Sequence, residues 1–324
     1  MIVKNVLQVK NLHTYFDSPN GIVKAVQNMS LSLTKNQVLG IIGESGSGKT
    51  TTGLSIMRLV DTPGSINKGS IYLEKENISG LSESAMRSIR GKDIAMTFEN
   101  SASMFNPLES IGDQVREVIN IHTELNYKDS TELTLKSLTE IGITNPNEII
   151  EMRPPELSVG VSQKVMLAMS TILEPKVLIV DEITRNVDIM AQAQLSEQLR
   201  NKISSTDVSV ILLTNDPGVL AQLADTVIVM FLGRKLEQAP VKAIYSQPMH
   251  PYTSQLLRPM ETRKVKTIRV TSINESQDSD RCPLVDRCER AISKCRMSPM
   301  PPVTEINENH HVACYNPLST VINS

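Results

Sequence analysis

Short, almost wholly apolar segments recur along the first 245 residues and alternate with segments whose apolar residues have helical spacing. A short apolar run is typical of a strand buried on both faces, whereas a period near 3.6 residues indicates an amphipathic helix. The predicted strands are 6–12, 37–42, 93–98, 177–180, 208–213 and 227–231. The predicted helices are 49–60, 111–121, 130–141 and 162–173. This alternation predicts an α/β fold in which helices cover both faces of a mostly parallel sheet.

Composition divides the chain into a large folded region and a C-terminal extension. Of the 324 residues, 40% are hydrophobic, which is enough for a substantial core and excludes a disordered or fibrous protein. The polar segment 262–280 predicts a linker, and all four cysteines follow it. We therefore predict one domain at 1–245 and an extension with a four-cysteine site at 246–324.

The charge and the hydropathy pattern restrict the kinds of partner. A net charge of −2 indicates neither a nucleic-acid-binding surface nor a basic membrane-binding patch. The strongest apolar runs, 208–213 and 227–232, are much shorter than the roughly 20 residues of a membrane-spanning helix. The first ten residues lack the apolar core of a signal peptide. We expect a soluble intracellular protein, or one that sits on a membrane by docking to another protein.

Residues 43–50 (GESGSGKT) fit the phosphate-loop pattern G-x-x-x-x-G-K-[ST] in full, between a predicted strand and a predicted helix. Glycines let successive N–H groups face one anion, and the helix N-terminus adds partial positive charge. Lys49 is expected to reach the β- and γ-phosphates, and the Thr50 hydroxyl to ligate Mg²⁺. The alternative, a Gly/Ser-rich turn without a ligand, is disfavoured because all four specified positions of the eight-residue pattern match between a predicted strand and a predicted helix. The predicted phosphate-binding residues are Gly43, Glu44, Ser45, Gly46, Ser47, Gly48, Lys49, Thr50 and Thr51.

The predicted strand 177–180 ends in two carboxylates, Asp181 and Glu182. A carboxylate at this end of a strand, near a phosphate loop, is placed to hold Mg²⁺ through water, which is the role we predict for Asp181. Glu182 is then placed to polarise an attacking water. Because an apolar run that ends in Asp-Glu is common, this prediction depends on the phosphate loop.

Residues 155–163 (PELSVGVSQ) lie between these motifs and precede a predicted helix. This order resembles that of ABC-type ATPases, whose signature motif L-S-G-G-x occupies the same place. Together with GESGSGKTT, FNPL at 105–108 and MHPYT at 249–253, it makes the chain similar to the ATP-binding subunits of oligopeptide/dipeptide importers. The resemblance runs from about residue 6 to residue 315.

The resemblance implies that two nucleotide-binding subunits close face to face, with each ATP between one phosphate loop and the other subunit's signature motif. Ser158 and Gly160 are thus implied to contact the partner's ATP. An aromatic residue near the N-terminus is implied to stack on adenine. Phe16 matches that position best, Tyr15 is the neighbouring alternative, and ordinary strand packing would also explain either. The region from about 100 to 160 resembles the helical subdomain that receives a permease helix.

The implied function is that of the nucleotide-binding subunit of an importer for peptides or similar small solutes. The implied partners are a homologous ATP-binding subunit and membrane permease subunits, with an extracytoplasmic solute-binding protein reached indirectly and no nucleic acid. The implied location is the cytoplasmic face of the plasma membrane, where the permease would hold the chain peripherally.

Four positions depart from the family pattern. Glu99 stands where the family has a Gln that contacts Mg²⁺ and the attacking water, so it adds a negative charge beside the γ-phosphate. Asn215 stands where the family has a His that touches the γ-phosphate, and no His occurs between residues 123 and 249. Val159 replaces the first signature glycine, where a β-branched side chain opposes close backbone approach. Ile183 replaces the proline after the catalytic glutamate.

These departures support the hypothesis that the chain's own phosphate loop binds ATP-Mg²⁺ but hydrolyses it slowly, while a homologous subunit carries most turnover. One alternative is that the replacements are tolerated variants with ordinary activity. A second is a regulatory ATP-binding module without net hydrolysis. A third, a soluble ABC protein that acts on nucleic acid or ribosomes, is disfavoured by the single ATPase half and the net charge. A P-loop kinase is also disfavoured, because a kinase does not require the signature segment before the strand that ends in Asp-Glu.

The cysteines have the spacing Cys282-x5-Cys288-x6-Cys295-x18-Cys314. Two disulfides would be unusual in a cytosolic protein, whereas four thiolates suit a tetrahedral Zn²⁺ or an iron–sulfur cluster. The resembled family carries a similar pattern associated with a [4Fe–4S] cluster, which we therefore favour over zinc. His310 and His311 are alternative ligands, although solvated tail residues are the simpler explanation. The expected role of the metal group is structural, because the tail is too short for its own core.

Overall fold

The computed structural model describes residues 4–185, 187, 189–258 and 280–318. The chain divides into two compact units, which are described separately. Unit 1 consists of the described residues of Met1–Leu7, Ser32–Gln37 and Tyr72–Leu213, and unit 2 of those of Gln8–Leu31, Val38–Ile71 and Thr214–Ser324. The predicted linker 262–280 lies outside the described residues, apart from Asp280.

The structure contains a strand or a helix at each predicted position, together with further strands and helices that the pattern did not predict. The strands are β1 Asn5–Ser18, β2 Gly21–Thr34, β3 Val38–Ile42, β4 Gly64–Leu73, β5 Glu76–Asn77, β6 Ile94–Thr97, β7 Val177–Asp181, β8 Ser209–Thr214, β9 Thr226–Phe231, β10 Arg234–Pro240, β11 Thr304–Asn307 and β12 His310–Val312. The helices are α1 Lys49–Met57, α2 Glu83–Ile89, α3 Ser101–Met104, α4 Ile111–His122, α5 Tyr127–Glu140, α6 Pro146–Ile149, α7 Val159–Thr171, α8 Ile189–Ser205, α9 Pro217–Leu223, α10 Val241–Ser246, α11 Pro251–Leu257 and α12 Ser293–Met297, with a 3₁₀ turn at Pro154–Glu156.

In unit 1, β6, β7 and β8 form a parallel ladder with β7 at its centre. Every residue of β7 is buried, as expected of a strand covered on both faces. Helix α7 begins three residues before its predicted start, because the Ser158 hydroxyl accepts a hydrogen bond from the Val161 N–H and caps the helix. Ser110 and Asn126 cap α4 and α5 in the same way, which confirms the two helices predicted there.

In unit 2, β3 pairs in parallel with β9, and β10 pairs antiparallel with β9. Strands β2, β1 and β4 are neighbours in a separate sheet. The α/β class is confirmed, but strands β2, β4 and β10 were not predicted, and only the first half of β1 was. The reason is physical: β1 and β2 alternate buried with exposed residues, so they lack the continuous apolar run that marks a strand buried on both faces.

The C-terminal extension joins the sheet of unit 2. Strand β12 pairs antiparallel with β10, and β11 pairs with β12. A fully buried carboxylate, Glu237 on β10, joins these parts: it accepts hydrogen bonds from the backbone N–H groups of Met249 (2.7 Å) and His250 (2.9 Å). Its Oε1 also lies 2.6 Å from Nε2 of His310. The expectation that His310 is a solvated tail residue is therefore wrong, because this side chain is buried against Glu237.

Replacing Glu237 with glutamine is expected to lower the free energy of unfolding by about 1–3 kcal/mol. The amide keeps the shape of the side chain but has one acceptor oxygen, so one of three buried partners loses its hydrogen bond. Urea unfolding measures the effect, and Glu305→Gln, on the exposed strand β11, is the matched control. Equal stability of the two variants would contradict the structural role of Glu237.

Candidate nucleotide-binding site

The phosphate loop of unit 2 begins where the buried strand β3 ends and stops where α1 begins. Two of its glycines have a left-handed backbone conformation. Gly46 and Gly48 have φ angles of +78° and +101°, a region that other residues rarely adopt. A Cβ atom on Gly48 would also lie 2.2 Å from the Ala25 carbonyl oxygen. The motif therefore has the local geometry that its sequence predicts.

Two side chains of the loop are buried beneath an exposed rim. Lys49 donates hydrogen bonds from Nζ to the carbonyl oxygens of Gly43 (2.9 Å) and Glu44 (3.2 Å). The Ser47 hydroxyl is buried and, within the described residues, has no hydrogen-bond partner. Buried polar groups are normally satisfied, so this hydroxyl fits an oxygen of a bound phosphate. The rim consists of Glu44, Ser45, Gly46 and Thr50, which are exposed, while Thr51 and Gly48 are half-buried.

The aromatic candidates lie on opposite faces of β1. Thr14 is buried and hydrogen-bonds with Ser55 of α1 at 2.7 Å, so even-numbered residues here face the helix that follows the phosphate loop. Phe16 shares that face, with its ring against Gly64. The Tyr15 hydroxyl instead lies 2.9 Å from Nδ1 of His13 on the other face. The strand geometry places Phe16, and not Tyr15, on the face of β1 that carries Thr14.

Asn215, also in unit 2, directly follows β8 and is exposed. The neighbouring carboxylate does not take its place, because Asp216 caps α9 by accepting hydrogen bonds from the N–H groups of Gly218 (2.6 Å) and Val219 (3.3 Å). The side chain that the sequence places at the γ-phosphate position is therefore a neutral amide.

In unit 1, the predicted magnesium and catalytic carboxylates lie at one edge of the parallel ladder. Asp181 ends β7, and both it and Glu182 are buried. Glu182 has a φ of +47°, a left-handed conformation that is uncommon for a residue with a side chain. Its N–H donates to the Leu213 carbonyl of β8 at 2.9 Å, which holds this backbone in place. Glu99, two residues beyond the end of β6, reaches the same edge.

A partner of Glu99 was missed by the sequence reasoning. Arg185 Nη1 lies 2.7 Å from Glu99 Oε1, and the Arg185 carbonyl accepts a hydrogen bond from the Gln163 side chain of α7. The Glu99 carboxylate, at the position of the family's Gln, is thus paired with a cation. Its negative charge is therefore compensated. The signal was present as a positive charge three residues after Glu182, but no spacing rule linked it to Glu99.

The signature residues lie at the start of α7. Ser158 is exposed while it caps the helix, and Gly160 has open space around it, since a Cβ there would meet only Ala191 Cβ, at 3.8 Å. The Val159 side chain is 49% exposed. Its isopropyl group therefore projects from the exposed N-terminal end of α7, where the resemblance implies that the partner's ATP binds.

The four cysteines of the extension line one small cavity of about 20 Å³, which also includes His250 and Tyr315. Burial raises the pKa of the Cys314 thiol to about 11 and also raises that of Cys282. Among the described residues, no three His, Cys, Asp or Glu side chains are arranged as a group that holds a metal ion. The predicted iron–sulfur or zinc site is therefore not confirmed.

The described part of the chain contains no helix with both the length and the apolar character that crossing a membrane requires. The fold and the phosphate loop are those of an ATP-binding cassette. Residues 26–185 match the family model "ABC transporter", and residues 236–295 match "Oligopeptide/dipeptide transporter, C-terminal region". The chain belongs to the ABC transporter family, in the branch that carries this C-terminal region.

Two related proteins agree with this assignment over almost the whole length, and a solved structure shares the fold over part of it. The dipeptide transport ATP-binding protein DppD of Bacillus subtilis is 36% identical over 97% of this chain and 95% of its own length. The oligopeptide transport ATP-binding protein AppD of the same organism is 33% identical over 90% of this chain and 91% of its own. The dimeric ATP-binding cassette MJ0796, solved with ADP and Pi, has a TM-score of 0.65 at 19% identity and covers 72% of this chain and 98% of that one.

Proposed function

We propose that this chain is the ATP-binding subunit of a peptide importer. The observation that carries the proposal is the phosphate loop, whose exposed rim accompanies a buried lysine and a buried serine hydroxyl that has no hydrogen-bond partner among the described residues. The names of the relatives, which are dipeptide and oligopeptide transport proteins, support peptides as the solute class. We assign 1–245 to the nucleotide-binding domain, with its helical subdomain at about 100–160, and 246–324 to the extension.

Each predicted residue has a role in this proposal. Phe16 stacks on adenine, and the residues from Gly43 to Thr51 bind the phosphates. Thr50 and Asp181 hold Mg²⁺, which supplies charge neutralisation at the phosphates when it is bound. Glu182 accepts the proton of the attacking water. Ser158 and Gly160 contact the ATP held by the homologous partner subunit.

Hydrolysis at the chain's own phosphate loop is slow in this proposal. Asn215 is shorter than the family's His and carries no charge, so it stabilises the developing charge on the γ-phosphate less. Glu99 is held by Arg185 at 2.7 Å, so its main defect is that it orients water poorly rather than that it repels phosphate. Loss of one such polar contact costs about 10²–10³ in rate in other enzymes.

The proposed assembly contains a more active homologous ATP-binding subunit and membrane permease subunits. The permease holds the chain at the cytoplasmic face of the plasma membrane, and an extracytoplasmic solute-binding protein delivers the peptide. ATP binding closes the pair of ATPases, and hydrolysis with product release reopens it. A regulatory module that binds ATP without net hydrolysis is the second candidate, favoured by the neutral amide at position 215.

Single-turnover hydrolysis in the reconstituted complex tests this proposal. The partner subunit should carry a glutamine in place of its catalytic glutamate, so that only the site of this chain can react. We expect ATP to bind and to hydrolyse much more slowly than at the unmodified partner site. A rate equal to that of the partner would contradict impaired hydrolysis, and failure to bind MgATP would contradict the function as a whole.

We further propose that the four cysteines bind a [4Fe–4S] cluster, with Zn²⁺ as the alternative. Four cysteine sulfur atoms line one cavity, and thiolate sulfur is a suitable ligand for both a [4Fe–4S] cluster and Zn²⁺. Burial raises the pKa of the Cys314 thiol, whereas a bound metal cation would stabilise its thiolate form. The cavity has room for about one water molecule, so the cysteine segments must separate to hold four irons.

Anaerobic purification is expected to yield a coloured protein that contains iron and sulfide and loses both on Cys288→Ser. Metal and sulfide analysis measures this directly, and Ser293→Ala in the same extension is the control. If the protein contained stoichiometric zinc and no iron, the [4Fe–4S] assignment would be wrong and the site would be assigned to Zn²⁺. Absence of both metals from the purified complex would overturn the proposal.

A further inference from the structure

Arg287, in the cysteine extension, reaches across to the phosphate loop within unit 2. Its Nη2 lies 3.3 Å from each carboxylate oxygen of Glu44, the residue after the first glycine of the loop. Its guanidinium carbon lies 4.4 Å from the ring centroid of Phe231 and 5.6 Å from that of Tyr252. Stacking of this kind fixes the orientation of the planar guanidinium group.

Glu44 is also held through its backbone. The Glu44 N–H donates to the Tyr252 hydroxyl at 3.2 Å, and the Tyr252 side chain is only 3% exposed. The Tyr252 ring packs against Phe231 with centroids 4.9 Å apart. His250 places Tyr252, because its Nδ1 accepts the Tyr252 N–H at 3.1 Å and caps α11. Both ends of Glu44 are therefore bound by residues outside the loop.

Glu44 in turn contacts Lys49, the proposed phosphate-binding lysine. Lys49 Nζ is bound by the carbonyl oxygens of Gly43 and Glu44. A shift of Glu44 therefore moves a carbonyl oxygen that accepts a hydrogen bond from the ammonium group. The Glu44 carboxylate also lies at the rim where phosphates approach, and a like charge there would repel them unless it were neutralised.

We propose that Arg287 is a positioning residue of the phosphate loop, through which the cysteine extension sets the affinity for ATP. Arg287 neutralises the Glu44 carboxylate and draws it away from the phosphates, while Tyr252 holds the Glu44 backbone. The segment that carries Arg287 lies between Cys282 and Cys288, so a change in the cysteine cavity is transmitted to the loop through one side chain. The proposal rests on ATP binding at this loop, as stated under the proposed function.

Equilibrium binding of MgATP to the full-length chain in its complex tests the proposal, with a fluorescent ATP analogue as competitor. We expect Arg287→Met to weaken binding about threefold to tenfold, the range for loss of a stacked, partly exposed ion pair. The affinity of Arg287→Lys for MgATP should lie between those of the wild type and Arg287→Met, because lysine keeps the charge and loses the planar stack. The matched control is Arg296→Met in the same extension, whose ion pair with Asp286 does not involve the loop. It should bind as the wild type does.

A second background separates positioning from damage to the extension. In Glu44→Gln protein the carboxylate is gone, so a further Arg287→Met change should have no added effect on affinity. An equal loss in both backgrounds would mean that Arg287 acts only through the fold of the extension, and would overturn the proposal. Unchanged affinity in Arg287→Met, with MgATP bound normally by the wild type, would also overturn it. A wild type that does not bind MgATP would instead refute the proposed function.

Discussion

Replacing Lys49 with alanine is expected to weaken MgATP binding about 100-fold. The buried Lys49 ammonium donates hydrogen bonds to two carbonyl oxygens of the phosphate loop, those of Gly43 at 2.9 Å and Glu44 at 3.2 Å. When phosphate binds, these donors can turn to its oxygens. Two charge-assisted hydrogen bonds contribute roughly 3 kcal/mol, which corresponds to about two orders of magnitude in affinity.

The measurement is the dissociation constant of MgATP with the purified complex. Lys35→Ala is the matched control, because Lys35 is an exposed lysine paired with Asp207 in unit 1. Its effect on binding should be negligible. Tight MgATP binding by Lys49→Ala would refute the assignment of this loop as the phosphate site.

The double change Glu99→Gln with Asn215→His is expected to raise the single-turnover rate at this chain's site about 100-fold. Glutamine restores a neutral carbonyl oxygen to orient water, and histidine restores a longer side chain that can contact the γ-phosphate. The assay uses the complex whose partner subunit has lost its catalytic glutamate. Glu182→Gln added to the same protein should abolish the gain, because the restored contacts act on water that Glu182 polarises.

Because Arg185 pairs with Glu99, the rates of the two single variants and of the double variant test whether this ion pair affects hydrolysis. In the Glu99→Gln background, Arg185→Met should have little effect on the rate, because no carboxylate is left for Arg185 to compensate. Arg185→Met alone should lower the rate, because it leaves the Glu99 charge uncompensated near the phosphates. If Glu99→Gln and Arg185→Met had independent effects, the ion pair would play no part in hydrolysis.

Much of the fold was predictable because the central strands are buried on both faces. Strand β7 is an unbroken apolar run, and its predicted bounds differ from the observed Val177–Asp181 by one residue. Strand β1, predicted as 6–12, extends to Ser18, because its second half alternates in burial and resembles a surface segment. Helix boundaries depended on caps such as Ser158, whose role is decided by the backbone conformation.

The candidate site follows the same division. The phosphate loop and the Asp–Glu pair are contiguous motifs, so residue spacing alone identified them. The family comparison then supplied the expected Gln and His, and thereby the two departures at 99 and 215. The prediction that His310 is a solvated tail residue was wrong, because nothing near it in sequence indicates that it contacts a buried carboxylate on β10.

Motifs along the chain were sufficient to predict the class of protein, the phosphate loop and the positions where its chemistry departs from the family pattern. These features are local, since the spacing of a few neighbouring residues encodes each of them. Which side chains pair is a property of the tertiary structure: Arg185 with Glu99, Glu237 with His310 and Arg287 with Glu44. The last two pairs are separated by 73 and 243 residues. Such partners meet only because the strands and the extension pack together, and no local pattern specifies that packing.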